Sequence, residues 1–112
     1  MQPSAEEQLL FDSANRERAA QNMPLLQWDA ILASAARQHA NVMTRERLLS
    51  HQYPGEPALE ERAAEAGARF SSIAENIAFG QDAAEIHVGW MNSPGHRKNI
   101  LNPNLKIGRA HV

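Results

Sequence analysis

Two histidines and one glutamate have the residue types and the sequence settings of a metal-binding or acid–base site. His51 and His96 both fall in turn-rich stretches, where a rigid scaffold can point a side chain into a cleft. Glu75 lies between the apolar residues Ala74 and Ile77, where burying a carboxylate is costly unless it is paired or serves a site. Two imidazoles and one carboxylate suit Zn²⁺ with an open coordination position. The separations of 24 and 21 residues are not a local ligand spacing, so this site is a hypothesis.

The other histidines, and His96 itself, have structural interpretations. His39 lies on the apolar stripe of a predicted helix and is predicted to be a core histidine that is satisfied by a hydrogen bond. His87 is predicted to be a surface or boundary residue, and His111 carries no local signal. Spacing alone favours a structural role in which His96 or Arg97 only bonds to the neighbouring backbone.

Five helices are needed to position these residues. Apolar periodicity, capping residues and prolines predict helices at about 5–21, 29–47, 57–66, 83–92 and 94–101. Ser4 and Glu7 indicate a capping box, and Asp29 and Asp82 are the expected caps of the second and fourth helices. Asn22 is expected to adopt the left-handed conformation that ends the first helix. Residues 70–79 are predicted to form a short strand or an extended loop, and residues 105–112 a strand.

Composition excludes several classes of function. The 112 residues, 12.4 kDa, are predicted to form one domain spanning 1–112. A net charge of −2 argues against nucleic acid as a partner, and no apolar run is long enough to span a bilayer. The absence of cysteine excludes thiol catalysis, cysteine-ligated zinc and disulfides. The first residues lack the pattern of a secretory signal, which an upstream segment could have supplied.

Six short motifs appear together in the order and spacing of one protein family. They are NRER at 15–18, LQWD at 26–29, HANVM at 39–43, LSH at 49–51, AENIAFG at 74–80 and WMNSPGHRKNIL at 90–101. The chain resembles the CAP superfamily, which takes in cysteine-rich secretory proteins, antigen 5 and plant pathogenesis-related proteins. It is similar to the cysteine-free bacterial branch, with an SCP-like domain over nearly the whole sequence.

The resemblance implies a fold, a location and a set of site residues. The fold would be α+β, an α-β-α sandwich with helices on both faces of a small central antiparallel sheet, and the location secreted or associated with the cell envelope. The family's cleft has two histidines and two acidic residues that can hold zinc or another divalent cation. His51, Glu75 and His96 match three of these positions, whereas the second acidic residue falls near Ser93. Asn76, Ser93 and Arg97 are the expected supporting residues.

Three functions compete. The first is a binding module whose cleft recognises a lipid, a peptide or an envelope component, which the absence of an activated nucleophile favours. The second is a metal-dependent hydrolase or protease in which zinc activates water, with Glu75 as the catalytic carboxylate. The third is a purely structural cluster, in which Glu75 and the two histidines fix the loops and bind nothing.

The end of the chain differs from the family pattern. Similar bacterial domains continue after Ile107-Gly108 into another strand or hairpin, whereas this sequence stops at Val112. An unpaired strand edge favours pairing with another chain. We therefore expect either a truncated domain or a homodimer that pairs through the exposed sheet edge.

Overall fold

Five helices make up most of the structure, a computed structural model that describes residues 4–69, 73–80, 82–105 and 107–108. The helices are α1 (Ala5–Ala20), α2 (Ala30–Glu46), α3 (Leu59–Glu65), α4 (Ala83–Met91) and α5 (Pro94–Ile100). Two short strands, β1 (Gln27–Trp28) and β2 (Ile107–Gly108), complete the elements. No helix in these ranges is long and apolar enough to cross a membrane.

Local signals set the helix boundaries. Ser4 and Glu7 form the predicted capping box at the start of α1, and Asn22 has the predicted left-handed backbone with φ 56°. Asp29 and Asp82 cap α2 and α4 through their side chains, as the sequence predicts. α3 begins two residues later than predicted, at Leu59.

The core consists of two apolar clusters. The larger one joins α1, α4 and α5 through Leu10, Ala83, Ile86, Trp90 and Ile100. The smaller one packs Met43 of α2 against Tyr53 and Ile77, which lie on two loops. The loop before α3 and the segment before α4 are thereby fixed on the same side of α2.

The predicted sandwich around an antiparallel sheet is wrong for the described residues. There β1 pairs with β2 in parallel over two residue pairs, and no antiparallel sheet is present. Residues 73–79 form an extended loop in which two carbonyls accept from helix side chains rather than from a neighbouring strand. Trp90 donates to Ile77 O at 3.2 Å, and Asn99 to Glu75 O at 3.4 Å. Residues 70–72, Lys106, and 109–112 with His111 lie outside the described residues.

A buried arginine connects the first helix to the far end of the chain. Arg18 is 1% exposed and donates to four carbonyl oxygens, those of Pro24 (2.9 Å) and of Ile100, Asn102 and Leu105 (3.0 Å each). Burial lowers the pKa of Arg18. This side chain ties the turns that lead into both strands to α1.

Candidate functional site

A cleft of about 350 Å³ lies between the loop before α3, α3 itself, the 73–79 segment and α5. His51 and Glu75 both line it, and they contact each other directly: Nδ1 of His51 lies 2.7 Å from Oε1 of Glu75. The sequence placed these two residues in one site although 24 positions separate them, and the structure brings them together.

The loop that carries His51 is attached to a buried histidine of α2. His39 has a fully buried side chain, and its ring nitrogens lie 2.7 Å from Oε2 of Glu56 and 2.8 Å from the carbonyl of Ser50. This confirms the prediction of a satisfied core histidine. Tyr53 donates to the carbonyl of Leu48, and burial raises the pKa of Tyr53. The backbone just before His51 is thus held on the core.

Glu75 and His51 differ sharply in exposure. The Glu75 side chain is 2% exposed, whereas that of His51 is 58% exposed. Because an ionised carboxylate only accepts hydrogen bonds, Nδ1 is the nitrogen of His51 that donates to it; in the neutral imidazole Nε2 then carries the lone pair. Glu75 therefore fixes both the orientation and the tautomer of an imidazole that solvent can reach.

Arg62 completes this group, and the sequence analysis missed it. Its Nη1 donates to Oε2 of Glu75 at 3.1 Å, its Nη2 to His51 O at 2.7 Å, and its Nε to Pro57 O at 3.0 Å. The one available signal was weak: Arg62 follows Leu59 by three residues, on the same face of a short helix. The buried carboxylate is thus paired with a guanidinium.

The residues expected to support the site connect α5 to the 73–79 segment. Asn76 donates to His96 O at 3.1 Å, and Asn99 donates to Oδ1 of Asn76 at 2.8 Å. Ser93 caps α5 without a side-chain hydrogen bond, and Arg97 is exposed. The amide of Asn76 is therefore structural: it holds Glu75 in position through the backbone.

The third member of the predicted cation set lies apart from the other two. His96 is not among the described residues that line the cleft, and its ring lies against Trp90, with centroids 6.4 Å apart. Within the described ranges no three His, Cys, Asp or Glu side chains are grouped so that they could hold a metal ion. Both Glu75 oxygens are already bonded, one of them to the cation Arg62. In this arrangement the residues do not fit a divalent cation.

His87 is buried, so the prediction of a surface or boundary residue is wrong. It is 6% exposed, and its Nε2 lies 2.9 Å from Oε2 of Glu17 on α1. The pair lies where α4 packs on α1, and it is separate from the cleft. The reason is helix packing. Because α4 contacts both α1 and α5, it buries His87 in addition to Ile86 and Trp90.

The described lining of the cleft combines charged, amide and apolar side chains. None of these lining side chains carries a hydroxyl or thiol. What the cleft offers is an oriented imidazole at its surface, a neutralised buried ion pair, and small apolar side chains.

Comparisons with known proteins agree with one another. A family model described as CAP, the cysteine-rich secretory protein family, matches residues 11–108. "Uncharacterized protein YkwD" of Bacillus subtilis is 39% identical over 97% of this chain and 43% of its own length. "Uncharacterized membrane protein YlbC" of the same species is 34% identical over 91% of this chain and 30% of its own length. The chain thus spans less than half the length of these curated relatives.

Solved structures show the same likeness. An extracellular protein containing an SCP domain from Bacillus anthracis superposes with a TM-score of 0.84 at 37% identity, over 88% of this chain and 33% of that one. An outer surface protein from Borrelia burgdorferi gives a TM-score of 0.82 at 21% identity, over 89% of this chain and 74% of that one. The second likeness is one of fold alone.

Proposed function

We propose, from the premise that the chain belongs to the CAP, cysteine-rich secretory protein family, that it is a binding module that works outside the cytoplasm. Its cleft around His51 and Glu75 would hold a lipid, a peptide or another component of the cell envelope. The location is supported by the similarity to the extracellular SCP-domain protein of Bacillus anthracis.

One observation carries the binding role. A buried, charge-paired carboxylate holds His51 so that its second ring nitrogen points away from the protein's own bonds, in a side chain that is 58% exposed. Orienting an exposed side chain costs conformational entropy, and here buried partners supply the constraint before any ligand arrives. A preorganised polar group in a cleft with apolar walls is typical of a ligand site.

The test is co-sedimentation with isolated bacterial envelopes that are separated into lipid and cell-wall fractions. We expect the wild type to bind one fraction and His51→Ala to bind at least about tenfold more weakly, which corresponds to one lost hydrogen bond of about 1.4 kcal/mol. Glu65→Gln, an exposed change on α3 away from the cleft lining, is the matched control. Equal binding by His51→Ala and the control would refute the proposal.

Two other functions stay predictions. In a metal-dependent hydrolase, turnover of a casein or ester panel would vanish in Glu75→Gln. In a purely structural cluster, Glu75→Gln would lower the melting temperature and leave envelope binding unchanged. Self-association through a sheet edge is also a prediction, which light scattering tests.

A further inference from the structure

Most of the side-chain donors of the cleft already bond to protein oxygens. All three nitrogens of Arg62 donate to protein oxygens, and Nδ1 of His51 donates to Glu75. The side-chain amide of Asn99 donates to the 73–79 segment, and that of Gln52 donates to the carbonyl of Glu56 at 3.1 Å. Each of these nitrogens thus has a protein acceptor, and two N–H groups of Arg62 and one of Gln52 remain.

The acceptors of the same cleft are left over. Nε2 of His51, Oδ1 of Asn99 and Oε1 of Gln52 have no recorded donor among the described residues, and neither has the carboxylate of Glu60. A ligand in this cleft therefore gains most by bringing hydrogen-bond donors, because the free acceptors outnumber the free N–H groups.

The charge and the apolar side chains of the cleft further restrict the chemical class of the ligand. Arg62 and Glu75 neutralise each other, which leaves Glu60 as the uncompensated charge among the described lining residues. A carboxylate or phosphate on the ligand would therefore be disfavoured. Leu59 and Ala74 line the cleft as well, and they suit an alkyl chain that follows a polar head.

We propose that the cleft binds a primary ammonium group at the end of an alkyl chain, as in a lysyl side chain. The ammonium has three donors, no acceptor and a positive charge, which match the free acceptors and Glu60. This inference rests on the proposed function, since it names the ligand chemistry of the same cleft. It differs from the metal hypothesis because an ammonium needs hydrogen-bond acceptors and no set of coordinating ligands.

The test compares two probes that differ in one charge. Nα-acetyl-lysine amide and its Nε-acetylated form are titrated into the whole chain at pH 7, with backbone amide shifts and calorimetry as readouts. We expect saturable shifts at the residues that line the cleft, and binding at least about tenfold weaker for the acetylated probe. No saturable shift, or equal affinity for the two probes, would overturn the proposal.

Two neighbouring glutamates provide matched variants. Glu60 lines the cleft and Glu61, the next residue of α3, does not, and both are exposed. Glu60→Gln is expected to weaken binding of the lysine probe about tenfold, whereas Glu61→Gln leaves it unchanged. The same loss in both variants would mean general charge attraction and would contradict a specific site.

Competition separates this inference from the proposed function. If envelope binding depends on His51 but saturating lysine probe does not reduce it, the ammonium proposal is wrong and the binding module stands. If the lysine probe binds at the cleft and no envelope fraction binds, the envelope role is wrong and the ligand chemistry stands.

Discussion

Replacing Arg18 with methionine should be among the most destabilising single changes in this protein. The guanidinium is buried and donates to four carbonyl oxygens, of which the one on Ile100 is the most deeply buried. Methionine fills similar space without any donor, so the substitution tests the hydrogen bonds separately from the packing. All four acceptors would lose the Arg18 donor at once, and Asn102 O would still accept from the N–H of Leu105 at 3.2 Å.

The magnitude follows from how buried each acceptor is. An orphaned buried carbonyl costs about 2 kcal/mol, and each part-buried one, which water can partly satisfy, costs about 0.5–1 kcal/mol. The total is about 4 kcal/mol, a large share of the roughly 5–15 kcal/mol by which domains are stable. At about 4 °C per kcal/mol for a chain of this length, the melting temperature should fall by about 15 °C.

Thermal and urea unfolding followed by circular dichroism measure this loss. Arg16→Met is the control, because Arg16 is exposed on the same helix and makes one hydrogen bond, to Ser13 at 3.2 Å; its effect should stay within about 0.5 kcal/mol. Arg18→Lys keeps the charge but loses the planar set of guanidinium donors. Its free energy of unfolding should therefore lie between those of the wild type and Arg18→Met. A methionine variant as stable as the Arg16 control would refute the reasoning.

Other predictions concern charge and metal. The hydrogen bond from Arg37 holds the pKa of Glu7 below its ordinary value of 4.5, so this pair stabilises the fold above that pH and the stabilisation is lost as pH falls through the lowered pKa. In Glu7→Gln the acid side of a plot of unfolding free energy against pH should therefore be flatter than in wild type. Calorimetry with Zn²⁺ should show no stoichiometric site, because both oxygens of Glu75 are already bonded; one-site binding that is lost in His51→Ala and in His96→Ala would restore the cation hypothesis.

The sequence predicts those features of the fold that depend on contacts between residues close together in the chain. The capping box at Ser4, the left-handed Asn22 and the caps Asp29 and Asp82 depend on partners within four residues, so their patterns are visible in the chain. The pairing of His51 with Glu75 is not local: residue type and setting gave only a hypothesis, which the family resemblance supported.

The contacts that could not be predicted end on backbone atoms. Arg18 and Arg62 both bind carbonyl oxygens, which every residue has, so no pattern marks their partners. The antiparallel sheet that is absent from the described residues is a related case, since there the carbonyls of Glu75 and Ile77 accept from side chains of α5 and α4 rather than from a strand. Sequence periodicity contains no information about such competition for a carbonyl.

The long reach of Arg18 has a consequence for synthesis on the ribosome. Its most distant acceptor, the carbonyl of Leu105, follows it by 87 residues. At a translation rate of about 5–20 residues per second, Leu105 is therefore added roughly 4–17 s after Arg18. During that time a nascent chain contains the first helix but lacks the carbonyls that make burial of this charge favourable. Completion of the native packing is therefore delayed until almost the whole domain has left the exit tunnel.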